Sequence, residues 1–199
     1  MNFIHRFVRG KSARTLLLLH GTGGNEDDLL DLGRELDPDA SLLSPRGQVL
    51  ENGAPRFFRR LAEGVFDEAD VVMRARDLAG FVDRAAVDYK IDINELVATG
   101  YSNGANMAAA MLLLGVAKFR RAILFRAMVP LSKIDIPSLA GTSVLMSNGR
   151  FDPIIPLPNA QRLAQLLQSA GAGVDLRAHS AGHELAPPDL NDARQWLAR

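Results

Sequence analysis

The sequence predicts a layered α/β fold built on a mostly parallel sheet. Strand-sized aliphatic runs recur along the chain, stretches with helical apolar spacing lie between them, and glycine-rich turns follow two of the runs. At 199 residues with 47% apolar positions, the chain is long enough for one good core, so a single domain over residues 1–199 is expected.

The runs at residues 15–19, 95–100, 122–125 and 143–146 show no alternation of apolar and polar positions, which marks strands buried on both faces. A further short strand is expected at about residues 174–178. Val71, Ala75, Leu78, Val82, Ala85 and Tyr89 recur at intervals of four and three, a stripe that packs one helix face onto a sheet. Residues 103–114 place Met107, Ala110, Met111 and Leu114 on one helical face. Pro158 opens and Gly171 closes another helix, and residues 189–197 form a last short one. Residues 44–70 read as a long irregular stretch rich in Pro, Gly and Asn. Its Phe57, Phe58 and Phe66 argue for an ordered wall over the strand ends.

Charge and composition narrow the function. Lys plus Arg and Asp plus Glu both number 23, so there is no basic field to attract nucleic acid or an anionic membrane. No apolar run approaches the ~20 residues of a membrane helix. The stretch from Met1 to Arg6 lacks the pattern of a secretory signal, which makes the cytoplasm the expected location. The absence of Cys removes disulfides, thiolate metal sites and thiol nucleophiles together.

Gly100-Tyr101-Ser102-Asn103-Gly104 fits the pattern G-x-S-x-G at a strand-to-helix junction, where a sharp turn pushes the Ser102 hydroxyl outward. A hydroxyl is a weak nucleophile at neutral pH and needs a base, which in turn needs an orienting carboxylate. Asp152 follows the expected strand at 143–146, and His183 follows the one at 174–178, giving the order Ser, acid, His. All three then lie at the carboxyl ends of strands, where such folds bind ligands. Asp135, Asp175 and Glu184 are rival acids, and Asp152 is preferred. His20-Gly21-Thr22-Gly23-Gly24-Asn25 follows the first central strand and suits an oxyanion hole, with the main-chain amides of Thr22 and Asn103 as donors. The Lys-Ser/Thr of a phosphate-binding loop is missing there, and Glu26, Asp27 and Asp28 would repel phosphate. His20 is expected to brace the loop, while His5 and His179 have no partner at metal-ligand spacing, so no metal site is expected. Phe57, Phe58, Phe66, Phe125 and Met128 read first as core and second as pocket, and Arg46 and Arg56 read as solvated.

On these stretches, together with Pro45-Arg46-Gly47, Asp152-Pro153 and Gly182-His183-Glu184-Leu185, the chain resembles the phospholipase/carboxylesterase and dienelactone-hydrolase-like branch of the α/β-hydrolases over nearly its whole length. The resemblance implies the α/β-hydrolase fold, about seven strands with little or no lid, Ser-Asp-His catalysis and no cofactor. It also implies carboxylic or thioester substrates, often in a homodimer. Dienelactone hydrolases proper use a Cys nucleophile, which this chain lacks, so serine esterase chemistry on a small-molecule ester is the expected activity. A thioesterase or lysophospholipase for longer acyl chains would share the same residues, and a ligand-binding module without turnover is the rival from outside enzymes.

Overall fold

Leu16, Leu17, Leu18 and Leu19 are all fully buried, although successive side chains of a strand point to opposite faces. Leu16 and Leu18 join one apolar cluster, Leu17 and Leu19 another, so the strand that carries them is covered on both sides. The computed structural model describes residues 3–199; Met1 and Asn2, which the reading of the N-terminus included, lie outside the described residues.

The first elements are β1 (His5–Val8), β2 (Thr15–Leu19), α1 (Leu30–Leu36) and β3 (Ser41–Pro45). Four short strands follow: β4 (Val49–Glu51), β5 (Ala54–Arg56), β6 (Arg60–Ala62) and β7 (Val65–Phe66). Then come α2 (Glu68–Tyr89), one 3₁₀ turn (Ile93–Glu95), β8 (Leu96–Tyr101), α3 (Asn103–Leu113) and β9 (Arg121–Phe125). The chain ends with β10 (Ser143–Gly149), α4 (Leu157–Ser169), β11 (Gly173–His179) and α5 (Pro187–Leu197).

Seven strands form the central sheet in the order β1-β3-β2-β8-β9-β10-β11. Strand β1 runs antiparallel to β3, and the other pairings are parallel, as the unbroken aliphatic runs require. Helices α2, α3 and α4 pack on one face and α1 and α5 on the other. This is the α/β-hydrolase architecture. Among the described residues no helix is long and apolar enough to cross a membrane.

Local chemistry sets the element ends. The Asp67 carboxylate accepts from the Asp70 N–H to open α2, and Lys90 in the left-handed region (φ 55°) closes it. Along α2 the expected stripe from Val71 to Ala85 is buried. Helix α3 departs from the expected one-sided pattern: all eleven of its residues are buried, because it lies behind the sheet and under α2. Its alanines allow that close packing.

The stretch read as irregular is ordered into two hairpins. Strands β4 and β5 pair antiparallel across Asn52 and Gly53, whose φ values of 51° and 83° are those that a two-residue hairpin needs. Strands β6 and β7 form the second hairpin, and Ser44 and Pro45 belong to β3. Phe57 and Phe58 anchor this excursion in the core at 2% and 0% exposure, whereas Leu61 and Val65 near the second tip stand 73% and 52% exposed.

Candidate active site

Ser102 sits between β8 and α3 with φ 51° and ψ −112°, a conformation that costs an L-residue of order 1–3 kcal/mol. Its neighbours hold it there. The Ser102 N–H donates to the Phe125 carbonyl at 2.9 Å, and the Asn106 N–H donates to the Ser102 carbonyl at 2.9 Å. Glycine on each side permits the turn: a Cβ at Gly100 would lie 2.6 Å from the Ala105 nitrogen, and one at Gly104 would lie 2.0 Å from the Leu19 carbonyl oxygen.

The hydroxyl this turn presents meets the two side chains named from the sequence. His183 Nε2 lies 2.9 Å from Ser102 Oγ, and His183 Nδ1 lies 2.8 Å from Asp152 Oδ2. With a carboxylate facing Nδ1, that nitrogen carries the proton and Nε2 is left to accept from the hydroxyl. Asp152 is locked by the Ile154 and Ile155 N–H groups, which donate to its Oδ1 at 2.8 and 2.9 Å. The two loops touch directly, since a Cβ at Gly149 would lie 2.2 Å from the Gly182 carbonyl oxygen. The rival acids lie elsewhere: Asp135 is exposed, Asp175 pairs with Arg177, and a Glu184 oxygen accepts from the Gly182 N–H.

Thr22 and Asn103 share a cleft with Ser102. Among the described residues no protein acceptor takes the main-chain N–H of either, and Asn103, as the first residue of α3, has none within its helix. Residues 55–57 brace both sides of this cleft. The Gly23 N–H donates to the Pro55 carbonyl at 2.9 Å, Arg56 Nη1 to Thr22 Oγ1 at 2.7 Å, and the Phe57 N–H to Asn103 Oδ1 at 2.7 Å. His20 braces the same loop: Nδ1 faces the Gly21 carbonyl at 2.6 Å and Nε2 accepts from the Gly47 N–H at 2.9 Å. Burial lowers the pKa of His20, which fits a neutral ring that must accept at Nε2.

Of the two arginines read as solvated, Arg56 is not, whereas Arg46 keeps about a third of its side chain exposed while pairing with a carboxylate. Arg56 is buried, its guanidinium spanning Glu51 at 3.1 Å and Thr22, and the desolvation lowers its pKa. Arg46 forms a two-bond pair with Glu26 at 2.5 and 2.7 Å, and this bonding holds the Glu26 carboxyl below its ordinary pKa. Arg56 is the exception because the folded excursion turns its side chain inward against Glu51. Of the aromatic candidates, Phe57, Phe58 and Phe125 are core, whereas Phe66 and Met128 line the cleft with Ile154 and Ile155. His5 bonds the Tyr89 hydroxyl, and His179 lies 3.1 Å from Asp192. Among the described residues no three His, Asp or Glu side chains cluster so as to hold a metal ion.

Residues 7–199 match the phospholipase/carboxylesterase family. The chain belongs to that family. This phospholipase/carboxylesterase family member is 46% identical over 192 residues to MhqD of Bacillus subtilis (strain 168), a protein assigned to the hydrolases, with 96% of each chain covered. Its structure superposes on the Bacillus cereus carboxylesterase with a TM-score of 0.95 at 46% identity, covering 98% of this chain and 93% of that one. A Mesorhizobium loti carboxylesterase matches with a TM-score of 0.91 at 33% identity, covering 95% and 90%.

Sequence reasoning missed Arg126, Asp189 and Tyr101, which surround the His183 loop. One signal was available: Arg126 directly follows β9, at the same sheet edge where Ser102 and Asp152 follow β8 and β10.

Proposed function

We propose that this family member is a serine carboxylesterase in which Ser102 is the nucleophile, His183 the general base and acid, and Asp152 the residue that holds the imidazole tautomer. The observation that carries the reading is the continuous relay from Ser102 Oγ to His183 at 2.9 Å and on to Asp152 at 2.8 Å. Ser102 Oγ bonds to the ester carbonyl carbon as its proton passes to His183 Nε2, and the carbonyl electron pair moves onto oxygen. The Thr22 and Asn103 amides stabilise that oxyanion, a role whose removal costs ~2.7–4 kcal/mol per donor. Collapse breaks the bond to the alcohol oxygen, which leaves with the proton from His183. Water then attacks the acyl-enzyme by the same route, releasing the acid and restoring Ser102.

Small esters fit best. The cleft beside Ser102 is shallow, about 40 Å³, and Phe66, Met128, Ile154 and Ile155 line it, which favours a small acyl group over the long chain of a lysophospholipid or fatty thioester. The proposed substrate is a small-molecule ester, and the proposed setting is the cytoplasm. Ser102→Ala is the test. It is expected to abolish turnover of p-nitrophenyl acetate and labelling by a fluorophosphonate while melting as the wild type does; a variant that still turns over the ester overturns the assignment.

A further inference from the structure

The backbone around His183 is held at three successive carbonyls by side chains from distant strands. The Gly182 carbonyl accepts from Arg126 Nε at 3.0 Å, the His183 carbonyl from the Tyr101 hydroxyl at 3.0 Å, and the Glu184 carbonyl from Arg126 Nη2 at 2.5 Å. Arg126 is itself fully buried and sits at φ 55°, outside the region L-residues favour. Its remaining donors are engaged as well: Nη1 reaches the Ser147 carbonyl at 3.1 Å, and Nη1 and Nη2 each bond one Asp189 oxygen at 2.8 Å. Asp189 also accepts from Ser147 Oγ at 2.5 Å and from the Ala186 N–H at 2.8 Å. Burial alone would raise the Asp189 carboxyl, but the hydrogen bonds from Arg126 and Ser147 prevail and lower it.

Stability is a poor reason for such an arrangement, because replacing a buried ion pair with well-packed apolar side chains is often neutral or stabilising. Geometry is a better one. A guanidinium presents its donors in a rigid planar fork, so one side chain can fix two carbonyls at a set separation. Those two carbonyls bracket His183.

We infer that Arg126, oriented by Asp189, is a positioning residue that acts with Tyr101 to fix the backbone on both sides of His183 and thereby hold the imidazole between Ser102 and Asp152. The inference rests on the reading of those three residues as the catalytic relay, and it concerns alignment of the base rather than contact with substrate.

Arg126→Lys keeps the charge opposite Asp189 but supplies one nitrogen where the fork supplies three, so both carbonyls cannot be held at once. The expected result is a protein that melts cooperatively, with kcat for p-nitrophenyl acetate and the rate of fluorophosphonate labelling at Ser102 both reduced by about tenfold or more and KM within about twofold. Tyr101→Phe removes only the middle bond and is expected to lower kcat by roughly threefold to tenfold, again without a KM change. A folded Arg126→Lys variant with wild-type kcat and labelling rate, or one whose loss lies entirely in KM, overturns the proposal. If Arg126→Lys does not fold, Tyr101→Phe decides: reduced kcat supports the proposal and wild-type kcat overturns it. Ser102→Ala assayed alongside separates the two ideas, since residual turnover there defeats the relay reading whatever the behaviour at position 126.

Discussion

Replacing Gly104 with alanine probes the junction between the Ser102 turn and the loop that carries Thr22. The added methyl would lie 2.0 Å from the Leu19 carbonyl oxygen, 2.4 Å from the Leu19 carbonyl carbon and 2.6 Å from the His20 carbonyl oxygen. All three are main-chain atoms at the end of β2, so no flexible side chain can swing aside. Restoring ordinary contact requires α3 and that strand end to part by about 1 Å or more. Overpacking of this kind costs ~1–3 kcal/mol, and at this chain length each ~1 kcal/mol lowers Tm by about 2–4 °C. The same displacement separates the Asn103 amide from the Thr22 amide, and a shift of about 1 Å in reacting geometry costs roughly 10²-fold in rate. Gly104→Ala is therefore expected to lower Tm by several degrees and kcat for p-nitrophenyl acetate by about two orders of magnitude, with little change in KM. Calorimetry and steady-state kinetics on one preparation read both quantities. A variant with wild-type Tm and kcat would refute the claim that close approach of β2 and α3 sets the spacing of the two amides.

Two further outcomes follow from side chains around the cleft. Asp152→Asn retains an oxygen for the Ile154 and Ile155 N–H groups but turns an NH₂ toward His183, stabilising the wrong tautomer. Its kcat should fall by about 10⁴-fold while its melting temperature stays near that of the wild type, and kinetics that match the wild type would remove Asp152 from the relay. His20 is held neutral by burial, so below its ordinary value of about 6.5 the unfolded chain binds a proton that the folded protein resists. The stability this gives is complete above that value and is lost as pH falls through the depressed folded-state value. Urea melts at about pH 7 and pH 5 should show the loss, and His20→Gln should flatten it; an unchanged slope in that variant would mean other groups carry it.

Legibility tracked how far each residue's local chemistry agreed with its place in the fold. Strand β2 was readable to the residue because a strand covered on both faces has no polar position to confuse the pattern, and β9 and β11 were readable to within one residue at each end. Ser102, Asp152 and His183 were readable because strand-end glycines and turn residues mark the loops that carry them. Strands β1 and β3 were not, since β1 contains His5 and Arg6 and in β3 Ser41 and Ser44 flank a run of only two leucines. The β4-β5 hairpin left a clear Asn-Gly signature, but its three-residue strands are too short to show a period. Arg56, Arg126 and Asp189 were hidden for a different reason. Charged residues are rarely interior, and only the folded contact with a partner, Glu51 across the β4-β5 hairpin for Arg56 and a residue 63 positions away for Arg126 and Asp189, reveals that burial is compensated.

The excursion between β3 and α2 divides its labour along its length. Phe57 and Phe58 root it in the interior, whereas the β6-β7 tip with Leu61 and Val65 rests on solvent, and Glu63 and Gly64 at that tip still border the cleft. Residues that shape what enters are thus partly uncoupled from residues that keep the molecule folded. Glu63 borders the cleft from an exposed tip, so point changes there alter its rim at little cost to the scaffold, whereas Gly64 at φ 71° is held to glycine by its backbone.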